Sequence, residues 1–344
     1  MDNLLRKDLK FIWHPYTQLK DCLRLPPILI KKAKGIRLYD NKGKFYYDTI
    51  SSWWCNVHGH NHPKIKKAIN RQLDSLEHVL FAGFTHEPAI KLAEKLISIS
   101  PKGLTKVFFS DNGSTAVEVA LKMSFQYWHN KGKKKKTKFI SLDYGYHGDT
   151  FGAMSVSGVD LFNEVFAPLF FPSYKVPSPY CYRCPMGKNK DTCIIDTFGG
   201  VQTPPFRAGK EYTALSINPE QTPDFSPECR RIDCIKPLEK LLKLKSAEIC
   251  AIILEPMVLG AGGMIIYPKE YLEKTAQLAK ENKVHLILDE VATGFGRTGK
   301  MFACEYVNTI HPDFLCLSKG ITAGYLPLAA TLTSDKISRA FYAD

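Results

Sequence analysis

The sequence predicts an α/β protein built on a mostly parallel sheet with helices on both faces. Three observations carry this expectation. Short, β-rich apolar runs alternate with stretches of helical periodicity, which is the pattern of strand–helix–strand units. Several of those runs are apolar throughout, as strands buried on both faces are. Polar or glycine-rich turns follow the runs, where the loops of such a sheet converge on ligands.

In chain order the predicted elements are a strand at 107–110, a helix at 114–130, a strand at 139–143, a strand at 251–255, a helix at 269–282, and strands at 286–289 and 314–318. Before Asn61 the chain reads differently: Trp13-His14-Pro15-Tyr16, a Pro26-Pro27 turn, then two aromatic-rich runs flanking Asn41-Lys42-Gly43. That turn chemistry predicts a hairpin and assigns the region to a second, smaller domain. Between residues 177 and 236 the periodicity fails among prolines, glycines and five cysteines, so a long irregular insertion is expected there. There is no internal repeat of fixed period.

The composition narrows the function classes. The chain has 344 residues, 44% hydrophobic and 24% charged, which is the profile of a folded globular protein and not of a disordered one. No apolar run reaches the roughly 18 residues that cross a bilayer, and the first twenty residues mix charges with aromatics, unlike a signal peptide. A cytoplasmic protein without a membrane partner is therefore expected. Ten cysteines, among them Cys250, Cys304 and Cys316 inside apolar stretches, suit reduced core thiols. In the insertion, Cys181, Cys184 and Cys193, with Cys229 and Cys234 further on, match no common zinc spacing, so no metal is expected. The net charge of +13 suits nucleic acid or small anionic ligands equally. Its densest basic run, 131–138, interleaves no aromatic residue that could stack on bases, so it reads as a solvated connecting loop and no nucleic-acid partner is expected.

Three constellations carry chemistry. The turn from Ser110 to Ala116 (SDNGSTA) lies between a strand and a helix, where backbone amides and the Ser114 hydroxyl could cradle a phosphate. A serine-capped helix start after glycine is also among the commonest of turns, so this segment alone does not decide. The apolar run Leu286-Ile287-Leu288 ends in Asp289, ahead of a glycine-rich stretch to Gly299. A carboxylate so placed either caps the next loop or keeps a pyridine nitrogen protonated, which makes that ring an electron sink. The run Phe314-Leu315-Cys316-Leu317 delivers Lys319. A lysine there is either an exposed loop residue or an amine able to condense with an aldehyde and later to shuttle a proton. In this order along an α/β chain, the three together make handles for one phosphorylated pyridine aldehyde.

At these residues the sequence resembles the class III aminotransferases over nearly all its length. The resemblance runs through Asn112-Gly113-Ser114, Tyr146-His147-Gly148-Asp149, Leu254-Glu255-Pro256, the stretch 289–299 (DEVATGFGRTG) and Ser318-Lys319-Gly320. It implies a pyridoxal-phosphate-dependent transferase of fold type I, with a mostly parallel seven-stranded sheet in the large domain and a smaller α+β domain. It implies that Lys319 is the catalytic lysine and binds pyridoxal phosphate, that Asp289 pairs with the pyridine nitrogen, that Gly113 and Ser114 bind phosphate, and that Tyr146 stacks on the ring. Within the class, Trp13-His14-Pro15-Tyr16-Thr17, Ser51-Ser52-Trp53-Trp54 and the run from His58 to Pro63 are similar to the diaminononanoate synthases of the biotin pathway.

That likeness implies substrate contacts at Tyr16, Trp53, Tyr146 and Asp149, although paired tryptophans also suit a core cluster. It implies transfer of an amino group to 8-amino-7-oxononanoate, from S-adenosylmethionine in most members and lysine in some, by a homodimer. A class III enzyme acting on an ω-amine is the neighbouring reading, and a basic nucleic-acid binder the distant one. The domain expectation is residues 1–60 as the N-terminal segment of the small domain, 61–333 as the large domain, and 334–344 as the start of a C-terminal domain. Because the chain stops at Asp344 inside a helical pattern, a truncated product is expected, lacking a phosphate-binding threonine, a carboxylate-binding arginine and most of the small domain.

Overall fold

The computed structural model describes residues 2–185 and 232–342. The chain divides into two compact units, Met1–Phe84 and Thr85–Asp344.

The first unit holds a three-stranded antiparallel sheet of β1 (Ile30–Lys34), β2 (Arg37–Asp40) and β3 (Phe45–Tyr47), in that order. The expected hairpin is β2–β3. Asp40 closes its turn by accepting from the amides of Lys42 and Lys44, both at 2.9 Å, and Gly43 takes a φ of +86°. A short polar side chain at the turn's start and a glycine in the left-handed region are what such a turn requires. Beyond β3, Asp48 accepts from the Ser52 amide (2.8 Å), the Ser52 hydroxyl (2.7 Å) and His60 Nε2 (2.8 Å). These bonds hold Ser51, Ser52, Trp53 and Trp54 in a run of positive φ between 47° and 70°.

The second unit is built on seven strands: β4 (Lys106–Ser110), β5 (Lys138–Leu142), β6 (Tyr174–Val176), β7 (Ile249–Leu254), β10 (His285–Asp289), β11 (Phe314–Leu317) and β12 (Ala329–Thr333). A separate two-stranded ribbon joins β8 (Val258–Leu259) to β9 (Ile265–Ile266). The sheet order is β4-β12-β11-β10-β7-β5-β6. Only β12 runs against its neighbours, so β4 points the same way as the central strands. This is the mostly parallel seven-stranded sheet that the resemblance implies.

Every residue of β7, β10, β11 and β12 is buried, because helices cover both faces. Alternate side chains sort into two cores. Leu286, Leu288, Leu315 and Leu317 join one; Ile287, Phe314 and Cys316 join the other, against Ala116, Val117 and Ala120 of the helix Gly113–Asn130.

Each predicted strand and helix is present, with ends moved by one or two residues. Two strands of the seven-stranded sheet, and the short ribbon β8–β9, were not predicted. β6 has three residues, too few to show a period, and β12 (AATLT) is built of small residues that pack as a strand only between β4 and β11. The basic run also departs from expectation. Lys136 is buried, with Nζ donating to the carbonyls of Ser246 (2.8 Å) and Ile249 (2.7 Å) and lying 4.5 Å from the Trp128 ring centre. Burial pushes this amine down to about 8. Most of the expected insertion, including Cys193 and Cys229, lies outside the described residues.

Candidate active site

Because β4, β5, β7, β10 and β11 run in one direction, their carboxyl ends share one edge of the sheet. Onto that edge the chain delivers the turn 110–114, the segment 143–148, Glu255, Asp289 and Lys319. Asp289 and Cys316 are paired across β10 and β11, so the aspartate and the lysine three residues beyond Cys316 leave adjacent strand ends. Lys319 takes a φ of +45°, a region that costs a non-glycine residue free energy and is retained where surroundings fix the backbone.

Asp289 is buried, and Oδ2 accepts from His147 Nδ1 at 2.7 Å while Oδ1 accepts from the Val291 amide at 3.1 Å. His147 is held in turn by Ser157 Oγ, which accepts its backbone amide at 2.9 Å. Its Nε2 is buried with no hydrogen-bond partner.

A second carboxyl, Glu255, lies beneath the same edge, 3% exposed. Its Oε1 accepts from the Tyr146 amide (3.0 Å) and its Oε2 from the Gly260 amide (2.9 Å), so it ties the loop after β5 to the loop after β7. Burial, and then the charge of Asp289, push Glu255 up to about 8; the two amides and the charge of Lys319 oppose that shift. Asp289 and Lys319 therefore both act on one buried carboxyl group.

The turn after β4 is a helix N-terminus with reciprocal capping. Asn112 Oδ1 accepts from the Thr115 amide and Thr115 Oγ1 accepts from the Asn112 amide, both at 3.0 Å. Two glycines are required by close approach. A Cβ at Gly113 would come within 2.7 Å of Val291 Cγ1, and one at Gly148, whose φ is +126°, would collide with Ser114 Oγ. Ser114 Oγ accepts from the Thr150 amide at 3.1 Å, and the Thr150 hydroxyl donates to Glu118 at 2.5 Å. Ser110 Oγ, at the end of β4, is buried and unpaired. Gly113, Ser114, Gly148 and Thr150 thus form one cradle at the positive end of an 18-residue helix.

The remaining sequence-predicted residues are placed as follows. Tyr146 is half-buried beside His147, and Asp149 is exposed. Tyr16 and Trp53 belong to the first unit, where their rings meet edge to face at 5.4 Å and each stays about half exposed. They are not part of its core. Sequence reasoning singled out neither His147 nor Glu255, although both stand inside the quoted motifs. A histidine or glutamate directly after a glycine turn or a buried strand was the signal present.

Comparison with known proteins places this arrangement. The model of the family described as "Aminotransferase class-III" matches residues 21–222 and 210–344. The chain belongs to the class-III aminotransferases. It is 43% identical, over 97% of its length and 66% of the relative's, to a Geobacter sulfurreducens protein named adenosylmethionine-8-amino-7-oxononanoate aminotransferase. A crystal structure of the protein of that name from Methanocaldococcus jannaschii matches with a TM-score of 0.83 at 41% identity, covering 99% of this chain and 67% of the other. An amine transaminase from an uncultivated Pseudomonas species, solved with pyridoxal phosphate bound, matches with a TM-score of 0.79 at 32% identity, covering 96% and 66%. The chain spans about two thirds of the length of the curated relatives it matches.

Proposed function

We propose that the protein is a pyridoxal-phosphate-dependent aminotransferase that converts 8-amino-7-oxononanoate to 7,8-diaminononanoate, with S-adenosylmethionine as amino donor, and works as a cytoplasmic homodimer. One observation carries the chemistry: a lysine and a buried aspartate leave adjacent parallel strands beside a helix N-terminus shaped by two obligatory glycines. The substrate assignment rests on the name borne by relatives 41–45% identical to this chain, against 29–32% for the ω- and amine transaminases of known structure.

The residues present fit the cofactor. The unpaired Ser110 hydroxyl and the amides of Gly113 and Ser114 are donors suited to a phosphate. Bound there, pyridoxal phosphate supplies an aldehyde that receives the amino group and a ring that withdraws electrons. Asp289, oriented by His147, would hold a proton at the pyridine nitrogen. Tyr146 would cover the ring face and border the substrate. Lys319 would hold the cofactor's aldehyde carbon and would serve as the base and acid that moves a proton at the amine-bearing carbon. Tyr16 and Trp53, as an aromatic pair suited to an alkyl chain, and Asp149 are the further residues proposed to contact the substrate.

Borohydride reduction followed by peptide mapping tests the site, with the phosphopyridoxyl group expected on Lys319; its appearance on any other lysine overturns the assignment. An amino-donor screen tests the substrate. Transfer from S-adenosylmethionine is expected, and a strong preference for ornithine or 4-aminobutyrate would place the protein among the ω-aminotransferases.

A further inference from the structure

Glu290 follows Asp289 directly, yet its side chain takes no part in the cradle. It is fully buried, and its side chain is held by Thr293 near the start of the glycine-rich loop and by Ala303 and Cys304 just past its end. Oε2 accepts from Thr293 Oγ1 (2.6 Å) and from the Ala303 amide (3.0 Å); Oε1 accepts from the Cys304 amide (2.8 Å). The near end of the glycine-rich loop and its far end are thus fastened to the same carboxylate. The Gly294 amide adds a bond to the Glu290 carbonyl at 2.9 Å. Burial raises this carboxyl to about 6, while Thr293, Cys304 and Ala303 pull it down. Such a site is costly unless every lone pair is used, and here the bonds are spent on fixing one loop.

That loop meets two of the proposed cofactor handles. Val291 limits Gly113, where a Cβ would come within 2.7 Å of Cγ1. Phe295 limits Gly320, next to Lys319, where a Cβ would come within 2.9 Å of the phenylalanine Cβ. We infer that Glu290 is a positioning residue for the cofactor: by clamping both ends of the loop 291–302 it sets Val291 against the phosphate turn and Phe295 against the lysine turn. The inference rests on the cofactor site proposed above.

The test uses the full chain stripped of cofactor, with equilibrium dialysis against pyridoxal phosphate and trypsin cleavage at the exposed loop residues Arg297 and Lys300. Glu290→Gln presents an amide to backbone donors, and is expected to weaken pyridoxal phosphate binding by about tenfold or more, since bonds to a charged group are the strong ones. Cleavage after Arg297 and Lys300 is expected to speed up, and saturating pyridoxal phosphate to restore protection. Thr293→Val, which removes one donor and leaves the carboxylate, is expected to shift both readouts in the same direction by a smaller factor. An affinity within twofold of wild type in both variants overturns the inference. So does trypsin cleavage spread over the whole chain in Glu290→Gln while Thr293→Val binds normally, which is the signature of a residue that supports stability only. Wild-type protein that binds no pyridoxal phosphate refutes the cofactor reading itself, and the inference falls with it.

Discussion

His147 donates to Asp289 from a side chain 142 residues away, and neither group reaches water. Removing the imidazole leaves a buried carboxylate short of a donor, which typically costs about 1.5–3 kcal/mol when the bond is to a charged group. His147→Phe, similar in bulk, is therefore expected to lower kcat/KM by about ten- to a hundredfold, a factor of ten for each 1.4 kcal/mol, in steady-state assays. Glu255 gives a pH signature. Its folded carboxyl titrates near 8 against an ordinary 4.5, so the native state holds this proton more tightly than the unfolded chain does. Its contribution to stability is complete below about 4.5 and is lost as pH rises toward about 8. Thermal melts across that window are expected to fall more steeply for wild type than for Glu255→Gln; parallel curves would remove Glu255 from the account. At this scale the sequence was legible where chemistry and period coincide: Asp289 and Lys319 each end an apolar run with a charged group that such a run does not otherwise carry. His147 and Glu255 act through partners far away along the chain, and no spacing in the sequence announces that.

Elements place these groups, and the helix Gly113–Asn130 has the largest share of that task. Its cap bonds the Thr115 amide and not those of Gly113 and Ser114. Asn112→Ala is expected to cost about 1 kcal/mol, visible as a lower Tm, and to weaken pyridoxal phosphate binding in parallel. Gly148→Ala should be worse. Its φ of +126° is essentially a glycine region, and the added methyl runs into Ser114. A loss of roughly 1–3 kcal/mol from strain, with loss of the bound cofactor's visible absorbance, is the expected outcome. The helix was readable because Ala116, Val119, Ala120 and Met123 repeat at helical spacing. The collision between Gly148 and Ser114 was not, since it joins the ends of two different strands.

For the whole second unit, burial makes the thiols reporters of global unfolding. Cys250 is pushed up to about 12 by burial, and burial raises Cys304 and Cys316 as well, which disfavours the thiolate at all three while the fold is intact. Alkylation of these three is expected to be undetectable in native protein and to track complete unfolding in denaturant, by mass spectrometry of labelled peptides. The sequence already marked them as core thiols, for they interrupt apolar runs without changing their character. The division after residue 84 was less legible, because what separates the two units is long-range packing and not a linker of distinctive composition.

The antiparallel strand sets the order in which the molecule can be made. β12 lies between β4 and β11, so among the described residues the segment at 106–110 finds its strand partner in residues 329–333. During synthesis the growing polypeptide must carry β4 with both backbone edges unpaired until more than two hundred further residues have been made. Pairing of β4 is therefore a long-range event, which loop-closure entropy makes slower to form than the local pairings.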